Sequence, residues 1–422
     1  MERSDMDIHS GRDIHSDVHG DISGRPVKRV AAIDCGTNSI RLLIADLYVD
    51  GTMREVSRDM VIVRLGQGVD KTGQFATDAL ERTFAACQLF AQTIAGSGVD
   101  QVKFIATSAS RDVSNRDIFT AGIRDILGIE PEVISGQQEA LLAFTGALSS
   151  LKPSAIKPSA IQSSASQPAS GHLAQAFPQP DAPAPGTAGP AGPAGTAEQA
   201  QAPYLIVDLG GGSTELVLGT TSPQASYSMD IGSVRMSERY FFGPSHQAGP
   251  SSQAGQQGQA PASAPSLEQI QAATQDIDAA LDAASEAVAW GQARTVIGLA
   301  GTVTTLTAFG LGLTAYDRSR VDGARFAPDT WQQTCADMLA LDRRERSELG
   351  VVQPGRLDVI GAGALVWSRV LRRVCADIAQ DIAHAAVTDP AGQGGRARQG
   401  GQMPQIITSE HDMLDGIALS ML

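Results

Sequence analysis

Two stretches of the chain share one order of residues. AIDCGTNSIRLLIA (Ala32–Ala45) and IVDLGGGSTELVLG (Ile206–Gly219) each run from an apolar segment through Asp-x-Gly and small polar residues into a second apolar segment. Gly36, Gly210, Gly211 and Gly212 would let an anion approach the main chain, and successive N–H groups in such turns form an anion nest. The hydroxyls of Thr37, Ser39, Ser213 and Thr214 and the amide of Asn38 could donate further bonds. Asp34 and Asp208 would then stand beside bound phosphate as Mg²⁺ ligands, since that ion prefers carboxylate and phosphate oxygen. One Asp-x-Gly usually marks a plain turn; two of them, each between apolar strands, point to facing half-sites.

Three further stretches carry residues suited to the same chemistry. ATSASRDVSN (Ala106–Asn115) follows an apolar run and could set Ser108 and Arg111 at a cleft, an arginine fork being suited to phosphate. Its bland reading is a capping turn with a solvated Arg. In VISGQQEALLAF, Glu139 falls in the first turns of a predicted helix; alone it is a partner for the helix dipole, but beside a phosphate cleft it becomes a candidate general base. In GLAGTVTTL, Gly301 and Thr302 open a helix that could receive an anion, or simply pack closely on a strand. His411 and Asp412 in SEHDML form a lone pair, read as structure at the opening of a helix.

These residues need elements to hold them. RVAAIDC with RLLIADLYV, and YLIVDLGGGSTELVLG, read as two hairpins. TDALERTFAACQLFAQTIAGSG reads as a helix with Leu80, Phe84, Cys87, Ala91 and Ile94 inward, capped by Thr77 and ended at Gly96. SLEQIQAATQDIDAALDAASEAVAW reads as another, with Ile270, Ile277, Leu281, Ala284 and Val288 inward. QVKFIATSAS, EVISGQQEALLAFTGAL and TVIGLAGTVTTLTAF each read as a strand feeding a polar or glycine turn, the last two continuing into a helix. The expectation is an α/β architecture in two similar halves around a cleft.

At 422 residues with 42% hydrophobic content, the chain has room for two domains. Its formal charge of −14 argues against nucleic acid or an anionic membrane as partner, but not against an anionic substrate held locally. Cys35, Cys87, Cys335 and Cys375 are too scattered for a zinc site or a disulfide framework, which fits a reducing cytoplasm. No signal peptide or membrane-length apolar run is visible. Residues 1–26, with a repeated DIHS, read as a disordered polar arm. Pro/Ala/Gly/Ser-rich segments at about 151–203, 244–265 and 389–405 read as surface inserts.

The ordered set IDCGTNSIRLLIA, ATSASRDVSN, VISGQQEALLAFTGAL, VDLGGGSTELVLG, DIGSVRMSERYF, GLAGTVTTLTA and VIGAGALVWSRVL resembles the exopolyphosphatase/guanosine pentaphosphatase (Ppx/GppA) phosphatases in their short, two-domain form. That resemblance implies two ribonuclease-H-like domains of the actin, sugar-kinase and chaperone ATPase superfamily flanking a cleft, here at 27–137 and 138–422. It implies Mg²⁺-dependent hydrolysis, Mn²⁺ being a second candidate, of the terminal phosphoryl of inorganic polyphosphate, with guanosine pentaphosphate (pppGpp) as the alternative substrate. Glu139 matches the family's base, Asp34 and Asp208 its metal-site aspartates, Glu215 the carboxylate closing the second loop, and Arg111 its phosphate-binding arginine. Gln138 and Leu141 stand where the family often has a second carboxylate and an Arg. A homodimer is compatible with the resemblance. The rival readings are a sugar or acetate kinase of the same superfamily and a catalytically inert polyphosphate or nucleotide sensor.

Overall fold

The computed structural model describes residues 26–111, 113–151, 200–242, 263–388 and 403–422. The polar arm and the three inserts fall almost wholly outside the described residues.

Two five-stranded sheets repeat one topology. The first has the order β3-β2-β1-β4-β5, from β1 (Lys28–Cys35), β2 (Ser39–Leu47), β3 (Met53–Ile62), β4 (Gln101–Ala106) and β5 (Glu132–Val133). The second has the order β8-β7-β6-β9-β10, from β6 (Tyr204–Leu209), β7 (Thr214–Gly219), β8 (Pro223–Met229), β9 (Thr295–Leu299) and β10 (Gln405–Thr408). In each, an antiparallel meander continues into strands parallel to its first member. This is the expected α/β arrangement of two ribonuclease-H-like halves about a cleft. The central strands β1 and β6 are buried on both faces, hence their unbroken apolar runs.

Helices cover both sheets. The helix Thr77–Ala95 buries Ala79, Leu80, Thr83, Ala86, Cys87 and Phe90, while Phe84, Ala91 and Ile94 are only half-buried. The stripe is rotated from the expected one because Phe84 turns onto the neighbouring helix Arg116–Leu127, where a Cβ at Gly122 would lie 2.3 Å from its ring. Thr77 is the first helical residue rather than its cap, and Ala76 precedes it with no side-chain bond. The helix Leu267–Ala287 buries Ala273, Ile277, Leu281 and Ala284; Val288 is buried one residue beyond its end and Ile270 is half-buried. No described helix is long and apolar enough to cross a membrane.

Two helices run between the sheets. One, Gly136–Leu151, follows β5; the other, Met413–Leu419, closes the chain after β10. Together they share one core with Val30, Leu43 and Ile105 of the first sheet and Ile206, Val217 and Ile297 of the second. They cross at glycines. A Cβ at Gly146 would lie 1.8 Å from the Asp412 carbonyl oxygen, and one at Gly416 would lie 2.0 Å from that of Leu142. Glu139 therefore opens one crossing helix and Asp412 caps the other.

Candidate active site

The two Asp-Gly turns are built alike. Gly36 N–H donates to the Ser39 carbonyl at 3.0 Å, and Gly210 N–H donates to the Ser213 carbonyl at 3.0 Å. Each turn joins the first two strands of its meander, so both emerge at the same end of their sheets and face each other. Thr37 and Ser108 hydroxyls are 2.8 Å apart, and Gly212 backs onto both: a Cβ there would fall 2.6 Å from each oxygen. A side chain at Gly212 would separate the halves.

Between them lies a cavity of about 730 Å³. Its walls include Asp34, Gly36, Thr37, Asn38, Ser39, Ser108, Glu139, Asp208, Gly210, Gly211, Ser213, Gly301 and Thr302. Most of the residues singled out from the sequence thus meet in one place. Four do not line it. Gly212 is spent on the contact between the halves. Thr214 is buried and donates to the Ile231 carbonyl at 2.5 Å, because alternation along β7 turns it away from the face that carries Glu215. Glu215 is buried behind the cavity wall, where one carboxylate oxygen accepts from the Ser228 hydroxyl at 2.7 Å and Oε2 has no hydrogen-bond partner. Arg111, rather than reaching into the cavity, donates to Glu139 Oε2 at 2.8 Å and to the Ile134 carbonyl at 3.4 Å.

Electrostatics separate the carboxylates. Burial pushes the Glu139 carboxyl up to about 7, with Arg111 opposing. Burial also raises Asp208 well above the carboxylate range, helped by Asp412 and Glu139, and raises Glu215 in the same direction, helped by Glu139 and Asp208. Asp34 is raised by burial while Arg41 pulls it back. Burial works against the charge on Arg41 too, and Asp412 and Asp34 more than offset it.

Several site residues were missed from sequence. Arg41 lies directly across the ladder from Asp34, donates from Nε to its Oδ2 at 2.9 Å, and also pairs with Asp412. Asp412 does open a helix as read: its side chain accepts from Leu414 N–H at 3.0 Å and Asp415 answers at 3.2 Å. It lines the cavity as well. Arg58, Arg64, Arg82 and Arg356 add positive charge to the walls of a chain that is acidic overall. Arg356 rests on Gly301, where a Cβ would lie 1.9 Å from its guanidinium, and Arg64 reaches across to Asp358 at 2.9 Å. Arg41 had a signal, the register of the expected hairpin; Arg356 and Asp412 had none before folding.

Among the described residues no three His, Cys, Asp or Glu side chains converge as a metal cage. Mg²⁺ is commonly held by only one or two carboxylates together with substrate phosphate. Asp34 Oδ1, buried on the cavity wall and without a hydrogen-bond partner, fits that arrangement.

The sequence model of the Ppx/GppA phosphatase family matches residues 44–157 and 189–387. The chain belongs to the Ppx/GppA phosphatase family. Among Ppx/GppA relatives and similar proteins, Exopolyphosphatase 2 of Mycobacterium tuberculosis is 37% identical over 401 residues, covering 93% of this chain and 98% of that one. A crystal structure of an exopolyphosphatase-like protein is 38% identical with a TM-score of 0.71, covering 93% of this chain and 97% of that one. The Ppx/GppA enzyme of Aquifex aeolicus, 23% identical with a TM-score of 0.61 and covering 94% and 100%, shares the fold.

Proposed function

We propose that this phosphatase removes the terminal phosphoryl group of inorganic polyphosphate, with Mg²⁺ as cofactor and Glu139 as the base that activates water. The observation that carries the reading is a buried carboxylate, shifted to about 7, on the same cavity as two phosphate-type turns. The exopolyphosphatase name of the Mycobacterium tuberculosis relative supports the choice of substrate.

In this reading the turn N–H groups and the hydroxyls of Thr37, Ser39 and Ser213 receive the phosphoryl oxygens. A water beside Glu139 gives up a proton to the carboxylate as its oxygen bonds to phosphorus. The bridging P–O bond breaks, and the shortened chain leaves with the electron pair. Arg111 holds the carboxylate in place and stabilises its ionised form. Mg²⁺ (or Mn²⁺) at Asp34 and Asp208 would neutralise charge on the phosphoryl oxygens.

Phosphate release from polyphosphates of defined length and from pppGpp, measured side by side, tests the assignment. Higher kcat/KM on polyphosphate is expected. Preference for pppGpp would transfer the assignment to that substrate, and binding of polyphosphate without release would make the protein a sensor.

A further inference from the structure

We propose that Asp412 is a positioning residue for Asp34, acting through Arg41 and supplying the negative charge that Arg41 would otherwise cancel. The inference rests on the reading that Asp34 takes a divalent cation.

Arg41 spends two N–H groups, from Nε and Nη2, on a single Asp34 oxygen, Oδ2. That leaves Oδ1 buried, without a hydrogen-bond partner, on a residue of the cavity wall. A guanidinium bound this way orients the carboxylate but also offsets its charge. With Arg41 and Asp34 alone, the charges would sum to zero and a cation would gain little by approaching. The remaining Nη1 donates to Asp412 Oδ2. Two carboxylates against one guanidinium restore one net negative charge beside the free Oδ1. They also pin the guanidinium at both ends, so it is not free to swing toward a substrate oxygen.

The two oxygens of Asp412 do separate work. Oδ1 accepts from Leu414 N–H at 3.0 Å and caps the closing helix; Oδ2 holds Arg41. Substitution can therefore divide the roles. Ser and Asn both serve as N-caps, so Asp412→Ser and Asp412→Asn keep the cap while removing the charge. Asp412→Ala removes both.

The experiment measures Mn²⁺ binding by electron paramagnetic resonance with inorganic phosphate present in place of substrate, melting temperature, and the Mg²⁺ dependence of phosphate release. Both capping variants are expected to melt near the wild type, to bind Mn²⁺ about 10- to 100-fold more weakly, the usual cost of losing a partner behind a metal ligand, and to recover turnover at raised Mg²⁺. Unchanged Mn²⁺ affinity in both would overturn the proposal and reduce Asp412 to a helix cap. If Asp412→Ser fails to fold, Asp412→Asn decides alone. Wild-type protein that binds no Mn²⁺ would instead sink the cation reading of Asp34, and this inference with it.

Discussion

The two hairpins that wall the cavity place their aspartates at equivalent positions, seven residues before the cross-strand partner, yet the partners carry opposite charge. Across from Asp34 stands Arg41; across from Asp208 stands Glu215. Opposite charges across a ladder support each other and like charges oppose. The first hairpin therefore holds its aspartate by an ion pair. The second lodges two carboxylates together: burial raises both, Asp412 and Glu139 adding to the rise of Asp208 and Glu139 and Asp208 to that of Glu215, while hydrogen bonds from Ser228 and Ser213 work the other way on Glu215. One duplicated scaffold thus gives a carboxylate anchored by an arginine on one wall and two carboxylates lodged together on the other. Glu139 stands near both, and its charge weighs on Asp208 and Glu215.

The largest expected effect comes from Glu139→Gln, which keeps size but cannot accept a proton. Its kcat should fall by roughly 10² to 10⁴ while polyphosphate binding persists. A near-normal kcat would remove Glu139 from the role of base. Next come Asp34→Asn and Asp208→Asn, one from each hairpin. Each should raise the Mg²⁺ concentration for half-maximal turnover by about 10-fold or more. Turnover indifferent to a chelator would remove the metal from both walls.

Arg111→Gln should have a smaller effect, read in the pH profile. As the proposed base Glu139 would work only when ionised, so kcat/KM should rise with pH through about 7 in the wild type. Removing the cation that favours ionisation should move that limb to higher pH; an unmoved limb would dissociate Arg111 from the base. The smallest effect is expected from replacing residues 153–202 by a short Gly/Ser linker. Their Pro/Ala/Gly/Ser-rich composition offers little apolar surface to bury, so the melting temperature should stay within a few degrees. A large loss of stability would contradict that.

The sequence made the duplicated hairpins legible because strand alternation and Asp-x-Gly turns are local signals, and with them Asp34, Asp208 and the turn donors. Glu139 was legible through its motif. Alternation was also the source of error at Thr214: a hydroxyl one position from a site residue on a strand points to the other face. Arg111 lies off the cavity wall and donates to Glu139, a contact hidden from the sequence, which cannot say whether a guanidinium reaches a ligand or a nearby carboxylate. Asp412 lies hundreds of residues from Arg41 and reaches it because the closing helix packs against β1 and β2 as well as against Gly136–Leu151. Nothing local marks such a meeting.

That crossing also works as a lever. Gly146 lies seven residues along its helix from Glu139, an arm of about 10 Å at 1.5 Å per residue. A tilt of about 5° at the glycine contact would swing the carboxylate by about 1 Å, enough to spoil alignment of the attacking water. Bulk added at Gly146 or Gly416 would thus be felt at Glu139 without touching it, and the small residues at the fulcrum set the direction of its carboxylate.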